Sequence, residues 1–121
     1  MGLIHSTQDG IITITAKGAF NVEQIRTTFS EIRAACEDRA VARILILEQG
    51  SRFDPSQADV EEIVQILTAL FDDRAVRIAL VARKGLHFGL GRMVCAHASM
   101  NNLPFTTYRD RAKAQDWLQQ A

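Results

Sequence analysis

An excess of charge of either sign is missing from this sequence: fourteen lysines and arginines face fourteen aspartates and glutamates, for a formal net charge of zero. Nucleic-acid binders carry a basic excess, so nucleic acid is not an expected partner. Cysteine is scarce. Cys36 and Cys95 are the two in the chain, both inside helix-patterned segments, which reads as reduced thiols in a cytoplasmic protein. Long apolar runs are missing too. None approaches the ~20 residues that span a bilayer, and the N-terminus lacks the charged-then-apolar layout of a signal peptide. A membrane is therefore not an expected partner either. No His-Glu-x-x-His, Cys-x-x-Cys or Walker-type lysine spacing occurs, so no metal and no cofactor are expected.

What is present is alternation. Three short apolar runs, Ile11 to Ala16, Ile44 to Leu47 and Ile78 to Ala82, are each followed by a helix-patterned segment, and a fourth pair runs from Leu103 to Tyr108 and from Asp110 to Gln120. Strands alternating with amphipathic helices predict an α/β domain with a mostly parallel sheet, because parallel neighbours need long crossovers. The hydrophobic fraction of 47% is ordinary for a globular chain. With no linker or second composition in 1–121, a single domain is expected. Asp9-Gly10 between Leu3–Thr7 and Ile11–Lys17 predicts an antiparallel hairpin at the start of a five-stranded sheet. Ile12, Ile14 and Ala16 should face the core. Ile44 to Leu47, lacking alternation, should be covered on both sides.

Four helices follow from the spacing. The first opens at Asn21 with Gln24 completing a capping box, and buries Val22, Ile25, Phe29, Ile32 and Cys36. Asp54 as cap, Pro55 as first residue and Gln57 open the second, which buries Val60, Ile63, Leu67 and Leu70. The third is expected from about Gly89 to Met100 with Leu90, Met93, Val94, His97 and Met100 inward; the fourth, from Asp110, buries Ala114, Trp117 and Leu118. The pentads Glu37–Val41 and Asp72–Val76 are near copies placed before two successive strands.

The order strand, strand, helix, then three strand–helix pairs resembles the STAS fold of anti-sigma factor antagonists and of the cytoplasmic domains of sulfate transporters. The entry Gly18-Ala-Phe-Asn-Val-Glu23 is similar to the glycine-led start of the first helix in those domains. Phe88-Gly-Leu-Gly-Arg-Met93, then Phe105-Thr-Thr-Tyr-Arg-Asp110 and Ala114-Gln-Asp-Trp-Leu118, resemble the C-terminal half of the SpoIIAA-like branch, with Tyr108 in place of a phenylalanine. The resemblance implies a non-enzymatic regulatory or protein-interaction module whose partner is another protein. One departure bears on mechanism. The antagonists carry an Asp-Ser-Ser-Gly-type turn with a phosphorylated serine, whereas this chain has Glu48-Gln-Gly-Ser-Arg-Phe-Asp-Pro-Ser56. Phosphorylation at Ser51 or Ser56 is therefore not expected, although a helix start favours a phosphate.

Loops leaving the carboxyl ends of parallel strands are the favoured ligand positions. Here they bring Ser51, Arg52, Phe53, Asp54, Lys84, His87, Phe88 and Arg92 forward as candidate ligand- or partner-binding residues. Arg52, Lys84 and Arg92 suit an anion. Phe20, Phe53 and Phe88 suit an apolar rim, and the alternative function is thus a binding protein for a small apolar or amphipathic molecule in that cleft. Phe20 and Phe88 have staple partners in Ile25 and Met93, while Phe53 has none. Gly85, Gly89 and Gly91 precede a helix as phosphate loops do, but Val94 occupies the third glycine position of a dinucleotide fingerprint. Cys95 and His97, two apart on a helix, face different ways and make no nucleophile–base pair. No catalytic residue is assigned, and the chain is not expected to be an enzyme. Open sheet edges predict self-association, with a homodimer as the simplest form.

Overall fold

The computed structural model describes residues 2–83 and 85–120, and the side chains of all of these except Leu86 and His87. Among these residues the order is β1 (Leu3–Gln8), β2 (Ile11–Gly18), α1 (Val22–Ala35), β3 (Val41–Ser51), α2 (Gln57–Leu70), β4 (Ala75–Val81), α3 (Gly85–Met100), β5 (Phe105–Tyr108) and α4 (Arg111–Gln119). The five strands form a sheet in the order β1-β2-β3-β4-β5, antiparallel between β1 and β2 and parallel thereafter. The hairpin turns at Asp9 and Gly10, whose φ values of 55 and 79 are the two positive angles that a type I′ turn needs.

Two cores lie on opposite faces of the sheet. Ile12, Ile14, Ile44 and Ile78 pack against Phe29 and Ile32 of α1 and Ile63 and Leu67 of α2. Leu45, Leu47, Ala79 and Val81 pack against Ala114 and Leu118 of α4. The unbroken apolar run of β3 thus serves both faces, as expected of a strand covered twice. Trp117, expected in the buried stripe of α4, is half-buried. Its ring lies at the margin of that core, 6.4 Å from Tyr108 and with the Arg77 guanidinium 5.9 Å away.

Arginines tie the amino ends of the strands together. Arg39 Nη1 donates to the Gly10 carbonyl at 3.0 Å, and Arg74 donates to the carbonyls of Cys36 and Glu37 at 2.8 Å and to that of Arg39. The paired pentads are alike for this reason, since each places an arginine before a strand so that it reaches the turn before the neighbouring strand. Arg43 and Arg77, facing each other in register on β3 and β4, cap the last turn of α4 through Leu118 O at 2.6 Å and Trp117 O at 3.1 Å.

Helix starts follow the capping signals with one shift. Asn21 and Gln24 form the expected reciprocal box at 2.9 Å in each direction. For α2 the cap is Ser56, not Asp54. Ser56 Oγ accepts from Asp59 N at 3.1 Å and Asp59 Oδ2 accepts from Ser56 N at 3.0 Å. Both boxes are written in the sequence, each with one aspartate near the helix N-terminus, and the helix takes the one that starts after Pro55. Pro55 is consequently outside the helix, and Ser56 precedes it rather than occupying its second position.

The third helix departs furthest from expectation. It begins at Gly85, so Phe88, Gly89 and Gly91 are helical and form no phosphate loop. Met93 and Met100 are exposed (39% and 80%), while Gly91 and Ala98 are buried. A Cβ at Gly91 would lie 2.8 Å from Leu80 Cδ2 and from both Thr107 Cγ2 and Oγ1. The helical period is the expected one and its phase is not, because small residues rather than large ones hold α3 to β4 and β5.

Candidate functional site

The carboxyl-terminal halves of β2, β3 and β4 form the floor of a cavity of about 130 Å³. Ile14, Ile46, Leu80 and Thr107 stand in register across four strands. Ile44, Leu45, Ile78 and Ala79 of the same strands are completely buried, whereas Ile46 and Leu80 are only half-covered. The three helices on this face leave a gap above them. Phe20 and Phe53 close one side, stacked with ring centroids 4.8 Å apart and an interplanar angle of 25°. Leu90 and Val94 of α3 form the other side, with Phe29 and Ile63 from α1 and α2 completing the wall. The wall is carbon almost throughout.

Backbone geometry fixes the rim. Gly18 and Gly50 take positive φ values of 63 and 81, the register slips between Ala16 and Gly18, and Arg52 N donates to Gly18 O at 2.7 Å. Ser51 ends β3 and is buried, its N–H donating to Glu48 Oε1 at 2.6 Å. Glu48 and Ser51 both border the cavity.

The structure brings together only some of the candidate residues. Ser51 and Phe53 line the cavity. Phe53, which lacks a partner along its own helix, finds one in Phe20 from the preceding crossover. Arg52 and Asp54 are exposed beside the rim. Phe88 and Arg92 lie away from the cavity: the guanidinium carbons of Arg92 and Arg109 approach the Phe88 ring centroid at 6.0 and 4.4 Å. Phe88 is therefore held by cations rather than by a staple to Met93. Lys84 lies outside the described residues, as does the side chain of His87.

Loop residues alone do not reveal Ile46, Leu80, Leu90, Val94 and Phe105, which also line the cavity. Their signal in the sequence is indirect: glycine at 91 lets α3 approach the sheet at one point and leaves the flanking floor uncovered.

Nucleophile chemistry finds little support among the described residues. Cys95 Sγ lies 3.1 Å from Thr107 Oγ1, and burial pushes its thiol pKa up, away from the thiolate form. Among the described residues no group of three His, Cys, Asp or Glu side chains is placed to hold a metal ion. The Ser56 hydroxyl is engaged in its capping box, where a phosphate would meet the Asp59 carboxylate. Among the described residues no helix is long and apolar enough to cross a membrane.

No protein-family model and no curated protein matches the sequence. Solved structures do match in shape. An uncharacterised DUF3478-family protein with a SpoIIAA-like fold from Shewanella loihica PV-4 superposes with a TM-score of 0.59 at 15% identity, over 96% of this chain and 91% of that one. An anti-sigma factor antagonist from Mycobacterium paratuberculosis superposes with a TM-score of 0.56 at 11% identity, over 98% of this chain and 93% of that one. With its antiparallel first pair, its parallel remainder and four helices, the chain has the SpoIIAA-like, STAS-type fold.

Proposed function

We propose that the chain is a non-enzymatic binding module that takes a small apolar molecule, or the apolar end of an amphipathic one, between the sheet and α1, α2 and α3. The observation that carries this reading is the carbon-walled cavity over half-covered Ile46 and Leu80. Cavities of about 150 Å³ lined by Leu, Ile and Phe stay dry and take up benzene. A space of about 130 Å³ with Phe20, Phe29 and Phe53 around it therefore suits a single ring or a short alkyl chain. Larger amphipathic molecules would leave their polar end at the rim, beside Glu48, Ser51 and Arg52.

Toluene tests the reading. A ligand that binds only the folded state raises its melting temperature with concentration. The wild-type chain should show that rise. Ile46→Phe and Val94→Phe, directing a larger side chain into the cavity from the floor and from the α3 side, should melt cooperatively and show none. A wild-type melting temperature indifferent to toluene, or an equal rise in both filled variants, would contradict the reading.

A second reading, a protein-interaction module of STAS type, is favoured by the likeness in fold to an anti-sigma factor antagonist. In that case its partner recognises the surface without a phosphoserine, since Ser51 is buried and Ser56 is committed to its cap.

A further inference from the structure

The zero net charge of the chain hides two unequal parts. Residues 1–73 hold six lysines and arginines and twelve acids, whereas residues 74–121 hold eight and two. Arg74 and Arg77 spend their guanidinium groups on backbone carbonyls at the amino ends of the strands. Arg83, Arg92, Arg109 and Arg111 are exposed instead. They surround the carboxyl ends of β4 and β5, where Ala82 N still donates to Tyr108 O at 3.0 Å, one residue before Arg83 and Arg109. Arg111 opens α4. The Phe88 ring draws two of the four together. Arg92, one turn along α3, and Arg109, from the turn after β5, bring their guanidinium carbons to 6.0 and 4.4 Å from its centroid, so the two carbons are no more than about 10 Å apart. No carboxylate answers them. Among the described residues the cations in ion pairs are His5, Arg26, Arg33 and Arg74. Asp110, the one acid between residues 74 and 115, accepts from Ala112 N as the cap of α4.

We propose that Arg92 and Arg109, held on Phe88 and flanked by Arg83 and Arg111, form a binding site for a small phosphate-bearing molecule with at least two negative charges. Guanidinium forks match phosphate oxygens bidentately. Contact with the ring restricts both side chains without using their N–H donors, so less ordering remains to be done on binding. Several cations around one point favour a multiply charged anion over a single carboxylate. The patch is also compact. The exposed residues of α3 after Arg92 are Met93, Ala96, Ser99 and Met100, all neutral, and beyond Lys113 the next charge on α4 is Asp116. A nucleic-acid strand needs cations along its length and finds no such track here. The site uses none of the residues that line the cavity and does not depend on what the cavity binds.

Sodium diphosphate is the probe, titrated at constant ionic strength into the isotope-labelled full chain while the arginine Nε–Hε signals are followed by NMR. The Arg92 and Arg109 signals should shift together and saturate with one Kd, while that of Arg26, paired with Glu23 on α1, stays in place. Arg92→Gln and Arg109→Gln, both exposed positions, should each weaken binding at least fivefold, and Arg26→Gln should not change it. Sodium acetate should produce no saturable shift. Shifts that grow without saturating, that appear equally at Arg26, or that keep their affinity in the Arg92 and Arg109 variants would overturn the site. So would a single-stranded oligothymidylate that binds the same arginines more tightly than diphosphate, since the patch would then be a nucleic-acid surface.

Discussion

At the amino ends of β2, β3 and β4, Arg39 and Arg74 each reach a backbone carbonyl of the preceding connection, and Arg43 and Arg77 close the last turn of α4. At the carboxyl ends of the same strands, Ile46, Leu80 and Phe53 meet a space instead of a hydrogen-bond partner. The amino end is held by directional hydrogen bonds. At the carboxyl end the rim keeps the hydrogen bonds Arg52 N to Gly18 O and Ser51 N to Glu48 Oε1, and the cavity wall inside it is held by non-directional packing of carbon. Parallel sheets place ligands at this second end for the same reason that loops there are free to vary.

The largest effect that separates the two ends should come from Arg74. Its guanidinium donates to three carbonyls of the 36–39 connection, and removing it takes a donor from each, leaving Cys36 O with the Arg39 N–H alone. Arg74→Met should cost about 3 kcal/mol and lower the melting temperature by roughly 10 °C. Where the variant is still folded, its toluene affinity should match the wild type. Loss of toluene binding along with stability would mean that the two ends are not separable.

Phe53→Ala should act on both properties. Losing a half-buried ring stacked on Phe20 should cost about 1–2 kcal/mol, and opening that side of the cavity should weaken toluene severalfold. Full stability with unchanged binding would remove Phe53 from the wall. Ser56→Ala should cost about 1 kcal/mol through its lost cap and leave toluene binding untouched. Thermal melts with and without toluene read all three variants.

The architecture is legible in the sequence because it rests on period and turn chemistry: the Asp9-Gly10 hairpin, the Asn21–Gln24 box and the doubly covered run of β3 are local signals that the tertiary structure keeps. Less is legible at the site. Polar loop residues such as Arg52 and Asp54 draw attention, while the cavity is lined by strand and helix residues such as Ile46, Leu80 and Val94, which look like ordinary core in a sequence. The phase of α3 is hidden because hydrophobic size is a poor guide where Gly91 and Ala98 make the contact. Competing capping boxes, Asp54…Gln57 and Ser56…Asp59, overlap within six residues, and only the geometry after Pro55 decides between them. Phe53 stands out in the sequence for lacking a local partner, and its partner is long-range.

The proposed reading puts an apolar, enterable space over the carboxyl-terminal half of this sheet, on the face covered by α1, α2 and α3. Xenon, which occupies dry apolar cavities, tests it most directly through methyl NMR of the full chain under xenon pressure. The methyl signals of Ile46, Leu80 and Val94 should shift progressively with pressure, while those of Leu45, Leu47 and Val81 on the α4 face stay in place. Equal shifts on both faces, or none at Ile46 and Leu80, would contradict the account.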